Sequence, residues 1–324
     1  MTVGDILRVN LLSPVTLAFA LGILAKRMRS DLALPKDVYA ALGIYLLFAL
    51  GLKGGHELGA APLAVIVLPA VATLALGVVR PLTSYGVLRS TGRFGVADSA
   101  GIAAHYGSVS AVTFIAALTF VEAVGSPAEG FLPTLLALLE SPGIAIALLI
   151  GALKVGTDRP VSEVMHEVLT GRTLVLLVGG LLIGYVSSPE AWEEVAPFFT
   201  GPVFKGALTI FLLEMGLVAG DRLSDLKRAG PYLLVFGIGM ALAHGALGVL
   251  IGRAAGLGVG GAAVLGAMAA SASYIAAPPA VRITLPQANP TLSLTASLAI
   301  TFPFNIVIGI PLYYQLSLWL AATP

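Results

Sequence analysis

The stretch Ser271-Ala-Ser-Tyr-Ile-Ala-Ala-Pro-Pro-Ala-Val-Arg282 sets two serines and a tyrosine just before a Pro-Pro pair, inside a run otherwise rich in Gly and Ala. Proline lacks an N–H donor and pushes the residue before it out of α geometry, so a helix entering this stretch breaks there. In hydrocarbon, the backbone and side-chain groups freed by a break need partners inside the protein or a wet cavity. The reading of the whole chain turns on what those partners are.

The surroundings fix the solvent. The chain is 57% hydrophobic and 11% charged, with a mean hydropathy of +0.96, whereas soluble domains carry about 25% charged residues. Apolar runs of about 20 residues, the length needed to cross a bilayer, recur along it, which makes it an all-α membrane protein with one transmembrane domain. There are no cysteines, so disulfide and thiol chemistry are excluded, and the net charge of +1 gives no reason to expect nucleic acid as a partner. No His/Glu metal spacing, phosphate-binding glycine loop or nucleophile elbow appears, so an enzyme is not expected. The segment Met1 to Ser13 carries Asp5 and Arg8 and no small-residue cleavage signature, and is expected to be mature chain and not a signal peptide.

Ten spans are expected, at about 14–28, 36–53, 61–79, 95–124, 132–153, 170–187, 201–219, 231–252, 260–281 and 292–320. With the N-terminus outside, fourteen Lys and Arg residues, Arg80, Arg89 and Arg93 among them, fall on the cytoplasmic side and only Arg8, Lys53, Lys205 and Arg253 on the other. Basic residues are retained in the cytoplasm, so both termini are expected outside a plasma (inner) membrane. The loop from Ser187 to Phe199, acidic and free of basic residues, agrees.

The chain repeats itself. Gly51-Leu-Lys-Gly-Gly-His-Glu-Leu58 aligns with Gly216-Leu-Val-Ala-Gly-Asp-Arg-Leu223 at an offset of 165, and Thr16-Leu-Ala-Phe-Ala-Leu-Gly22 with Thr173-Leu-Val-Leu-Leu-Val-Gly179 at 157. Ser108-Val-Ser110 matches Ser271-Ala-Ser273 at 163, and Pro142 matches Pro303 at 161. These offsets imply a duplicated five-helix unit: residues 1–154, a short cytoplasmic linker at 155–169, and residues 170–324. Five is odd, so the second copy enters the membrane from the opposite face, giving an inverted repeat of the transporter type. The polar feature common to both copies is Ser-x-Ser in the fourth and ninth spans, and two such breaks are expected to cross in the interior. Freed N–H groups and the positive end of a half-helix hold an anion, and freed carbonyls and hydroxyls hold a cation.

The run from Ala269 to Pro290, with Ser13-Pro-Val-Thr-Leu-Ala-Phe19, Gly51-Leu-Lys-Gly-Gly55 and Tyr106-Gly-Ser-Val-Ser-Ala-Val-Thr113, resembles the sodium-dependent bicarbonate transporter family known from cyanobacteria. The resemblance covers nearly the whole chain. It implies ten helices in two inverted repeats, a core domain with crossed fourth and ninth helices, a panel domain that forms a homotrimer, and uptake of bicarbonate with Na⁺. The departures fall at the site: where the family pattern has Asp, Ser, Gly and Ser, this chain has Tyr274, Ala276, Ala277 and Val112. Lost oxygen donors put the sodium stoichiometry in question. The family's long hydrophilic loop between repeats is also missing, which weakens the expectation of a PII-like regulator as a partner.

The expected substrate site is therefore Gly107, Ser108, Ser110, Ala111, Ser271, Ser273, Tyr274 and Ile275, with Thr113, Glu140 and Ala276 as cation-binding residues and no other cofactor. Each has a plainer alternative. A membrane serine commonly bonds a carbonyl one turn back or a neighbouring helix. Tyr274 either donates to the anion or packs its ring with a satisfied tip. Glu140, next to Ser141 and Pro142, is placed by the resemblance as a coupling residue, against an ion pair in the bundle. His105 is left outside the core site as a structural histidine, Glu214 reads as a second coupling group or an interface contact, and Arg282 as a snorkelling end. Gly179-Gly180 to Gly184 reads as close helix packing. Two other functions fit the same sequence: transport of a small organic carboxylate on an architecture reminiscent of bile-acid symporters, and a receptor or scaffold that no longer transports.

Overall fold

The computed structural model describes residues 3–156 and 161–322, and among them every regular element is helical. In chain order these are α1 (Val3–Leu11), α2 (Pro14–Arg27), α3 (Lys36–Ala60), α4 (Leu63–Ser90), α5 (Val96–Gly107), α6 (Ala111–Ala123), α7 (Leu132–Glu140), α8 (Pro142–Val155), α9 (Val161–Leu169), α10 (Arg172–Val186), α11 (Pro189–Thr200), α12 (Pro202–Arg222), α13 (Leu226–Ala254), α14 (Val259–Ala270) and α15 (Ala277–Thr284). A last span, Pro290–Ala322, follows, in which π-helical turns flank Pro303.

By length and composition seven helical segments can cross a membrane, or eight when α1 and α2, bent by 60°, count as one. The ten expected segments are largely helical, yet two fall short of crossing length: α10 has 15 residues, and the ninth is interrupted at 271–276, ahead of its prolines, into α14 and α15. Exposed apolar side chains such as Leu63, Val67 and Val71 on α4 and Val235 on α13 mark lipid-facing surfaces, since a membrane span is apolar on its outside as well.

Three expectations change. The acidic loop 187–199 is largely the helix α11, because Ser188 caps Ala191 N–H at 3.3 Å and Trp192 is buried. The linker 155–169 includes α9, whose Val168 packs with Ala103, Leu148 and Ala280, while residues 157–160 lie outside the described residues. Arg80, assigned above to a cytoplasmic loop, lies inside α4 with no exposed surface. An arginine followed by proline reads as the end of a span, but Pro81 is accommodated and the helix continues to Ser90.

The helices pair in two sets. α3 packs on α10 and α2 on α12, and small residues let the backbones touch. A Cβ on Gly180 would meet Gly51 Cα at 2.9 Å, and one on Gly22 would meet Leu217 N at 2.7 Å. In the second set α5 packs on α4 and α8, and α14 on α13 and the last span. α6 and α14 lie together in the largest buried apolar cluster, with Phe114, Leu265 and Phe302.

Candidate functional site

Two helix breaks form for identifiable local reasons. α5 stops at Gly107, and Ser108 (φ −92°, ψ −173°) and Ser110 (φ −98°, ψ 110°) are extended before α6 begins. Ser110 Oγ accepts the Thr113 N–H at 3.2 Å, an N-cap of the usual serine kind. α14 stops at Ala270, with Ser271 extended (φ −82°, ψ 162°). α15 restarts at Ala277 with Pro278 and Pro279 in its first turn, where a missing N–H costs no helix bond. Ser273 Oγ there accepts from Ala276 N–H at 3.2 Å and Ala277 N–H at 3.4 Å.

The breaks cross and tie to each other. Ser273 N–H donates to His105 O at 2.8 Å, and Ser110 N–H donates to Ser271 Oγ at 2.9 Å. Ser271 Oγ donates in turn to Met268 O at 2.8 Å, and Ser108 Oγ to Glu140 O at 2.7 Å. Ser110 Oγ donates to the Tyr274 hydroxyl at 3.2 Å, and the Tyr274 ring stands edge-on to Phe302 with centroids 5.4 Å apart. All four serines are buried. The N–H groups of Ala111 and Val112 sit in the first turn of α6, where helices leave donors free. Those of Tyr274 and Ile275 donate to no backbone carbonyl among the described residues. The crossing thus offers anion-binding donors from the first turn of α6 and from the extended segment before α15 at one place.

Beneath the crossing lies a residue the sequence reading did not place there. Arg80 Nη2 donates to Ser108 O at 2.7 Å and Ser271 O at 2.6 Å, and Nη1 reaches Gly107 O at 3.4 Å. One guanidinium therefore holds the carbonyl ends of α5 and α14 together. A signal for it exists in the repeat: the offset between copies sets Arg80 opposite His244, a second buried polar group in the corresponding helix, which bonds Thr83 Oγ1 at 2.8 Å.

The expected site residues separate as follows. Gly107, Ser108, Ser110, Ala111, Ser271, Ser273, Tyr274 and Ile275 are brought to the crossing, and Ala276 is the residue preceding the first turn of α15. A cavity beside the crossing is lined by Ser110, Ala111, Val112, Ser273, Tyr274 and Ile275 on one side and by Gly43, Leu46, Leu47, Thr173 and Phe211 on the other. Glu140 lines both this cavity and a larger one that opens past Ser141, Glu167 and Arg172. Among the described residues Glu140 Oε2 and Thr113 Oγ1 are buried with no hydrogen-bond partner, and Thr113 is not in the lining of either cavity. Glu140 is set at the end of α7 because the α7–α8 break abuts the first one: a Cβ on Gly143 would collide with the Gly107 carbonyl.

The remaining polar residues stay outside. His105 is buried, with Nδ1 unpartnered, and contributes its carbonyl. Glu214 accepts the Leu34 N–H at 3.2 Å and is an interface contact. Arg282 is exposed.

Comparison with known families agrees with this arrangement in extent. The model of the Na⁺-dependent bicarbonate transporter superfamily matches residues 14–318, from the first residue of α2 into the last span. Among curated proteins none matches the chain. The match takes in both breaks, Arg80 and the α7–α8 junction, and the chain, a multi-pass membrane protein of transporter type, belongs to the Na⁺-dependent bicarbonate transporter superfamily.

Proposed function

We propose that the chain is a secondary transporter that takes up a small anion, bicarbonate, together with Na⁺ by alternating access. The observation that carries this is the crossing itself: the free N–H groups of Ala111 and Val112 and those of Tyr274 and Ile275 converge on one buried cavity. The anion sits there, bridged by Ser110 and Ser273 and by the Tyr274 hydroxyl. Na⁺ is placed at Glu140 and Thr113, whose unpartnered oxygens are hard donors of the kind Na⁺ takes.

In this reading the chain is two inverted five-helix repeats with ten crossings, counting α10 and the α14–α15 pair. The pairing of α2 with α12 and α3 with α10 supports a panel domain, and the elements around the breaks a core domain. The cavity lies between these sets, Leu46, Leu47 and Phe211 facing Ser110 and Tyr274, so a movement of core against panel would carry the site from one membrane face to the other. Both termini outside, residence in a plasma membrane and assembly as a homotrimer belong to the same proposal.

A second reading, a short organic carboxylate as substrate, is favoured by the apolar panel wall of Leu46, Leu47 and Phe211. Radiolabelled bicarbonate uptake into proteoliposomes, with and without an inward Na⁺ gradient and with acetate and propionate as competitors, tests both. Na⁺-stimulated bicarbonate uptake is expected; carboxylate uptake with none of bicarbonate moves the assignment to the second reading, and no uptake of either sinks the transport proposal.

A further inference from the structure

Arg80 poses an electrostatic problem that the transport reading leaves open. Its guanidinium has no exposed surface, and among the described residues no carboxylate pairs with it. Its bonds all go to backbone carbonyls, those of Gly107, Ser108 and Ser271. Glu140, the buried carboxylate of the site, lies beyond ion-pair distance and is itself without a partner at Oε2. A buried charge is retained only where something compensates it. The carbonyl ends of α5 and α14 are the negative ends of two helix dipoles and compensate in part.

Those three carbonyls converge from two separate chain breaks onto one point. Such a cluster of oxygens is the ligand set a hard cation takes, and here a tethered cation fills it. On the other side of the same crossing the first turn of α6 and the Tyr274–Ile275 segment that precedes α15 line the cavity. With the negative ends neutralised by Arg80, the free N–H groups make the anion site at the crossing end of the cavity, Glu140 stands elsewhere on its wall, and a bound anion completes the compensation of the arginine.

We propose that Arg80 is a built-in cation that occupies the carbonyl cluster of the crossed breaks in place of a dissolved Na⁺, so that anion binding at the crossing requires no Na⁺. This rests on the anion-site reading above and deepens it: Na⁺ acts in transport from Glu140 and Thr113, not from the crossing. Arg80 is a positioning residue, touching the backbone that holds the anion and not the anion.

The test is equilibrium binding of radiolabelled bicarbonate to the purified full chain at fixed pH, in NaCl and in choline chloride, with acetate and nitrate as alternative probes. The wild type is expected to bind with the same affinity in both salts. Arg80→Gln is expected to lose binding at least about ten-fold in choline and to recover part of it in NaCl as Na⁺ enters the vacated cluster. Arg80→Lys, which keeps the charge, is expected to bind in choline far better than Arg80→Gln. A wild type that binds only in NaCl, or an Arg80→Gln protein that binds as the wild type does, overturns the proposal. Where both variants fail to fold, the wild-type comparison still decides. Na⁺-independent binding of acetate or nitrate with none of bicarbonate leaves the arginine proposal standing and removes bicarbonate as substrate; no anion bound in either salt removes both.

Discussion

Ser273 donates its backbone N–H to the carbonyl of His105 across 168 positions of sequence, at 2.8 Å. Neither residue is helical partner to the other; the bond is made between one broken span and another. It fixes the two breaks at one depth, and with the Ser110–Ser271 bond it turns two interrupted helices into a single site.

Removing the serine caps weakens both the site and its frame. Ser110→Ala loses the N-cap of α6 and Ser273→Ala the acceptor of the Ala276 and Ala277 N–H groups, at about 1 kcal/mol of stability each, and the double variant is expected to lose uptake at least about ten-fold per folded protein. Thermal unfolding and proteoliposome uptake separate the two effects. Uptake intact in a folded double variant places the site elsewhere.

Tyr274→Phe keeps the ring against Phe302 and deletes the hydroxyl that meets Ser110 Oγ. The expected result is a loss of anion affinity of about five-fold, one hydrogen bond's worth, with an unchanged melting point. Tyr274→Asp adds an oxygen donor beside the crossing, and uptake should become more steeply dependent on Na⁺ concentration. An Asp variant with the wild-type Na⁺ dependence would show that position 274 does not face a cation.

Glu140→Gln replaces a buried carboxylate whose Oε2 has no hydrogen-bond partner among the described residues. Removing an uncompensated buried charge costs no stability, so the melting point should hold or rise. Stimulation by an inward Na⁺ gradient should disappear while exchange of labelled for unlabelled bicarbonate persists. If the gradient still drives uptake in this variant, Na⁺ binds at other oxygens.

Gly143→Ala tests the packing of the α7–α8 junction against the first break. The added methyl collides with the Gly107 carbonyl, and overpacking of this kind costs about 1–3 kcal/mol. Gly86→Ala on the exposed face of α4 meets nothing within 4 Å and is the control, with a melting point equal to or above that of the wild type. Equal melting points for the two variants would mean that the junction yields without cost.

Composition and local pattern were enough for the solvent, the helical class and the two crossing breaks, though not for the break at Ser141 between α7 and α8. Apolar runs leave an α-helix no alternative in hydrocarbon, since its backbone bonds are all made locally. Pro278 and Pro279 mark one break directly, and the repeated Ser-x-Ser marks the other, because N-capping is a property of a residue and its next few neighbours. That Gly180 and Gly184 make close helix contacts was legible as well, from spacing, but not that α3 is the helix they touch. What lies in the amphipathic stretch after Ser187 was not, since acidic composition masked the helix that Ser188 caps.

What the broken ends face is set by packing between distant segments. Arg80 follows an apolar run and precedes a proline, the local pattern of a span's end, and nothing near it in the chain tells that it lies under the crossing. Its partners, Gly107, Ser108 and Ser271, are 27, 28 and 191 positions away. Glu140 was a candidate by resemblance, but its place beside the crossing comes with the contact of Gly107 on Gly143. Local sequence specifies where backbone groups are freed, but what satisfies them is set by the elements that packing brings alongside.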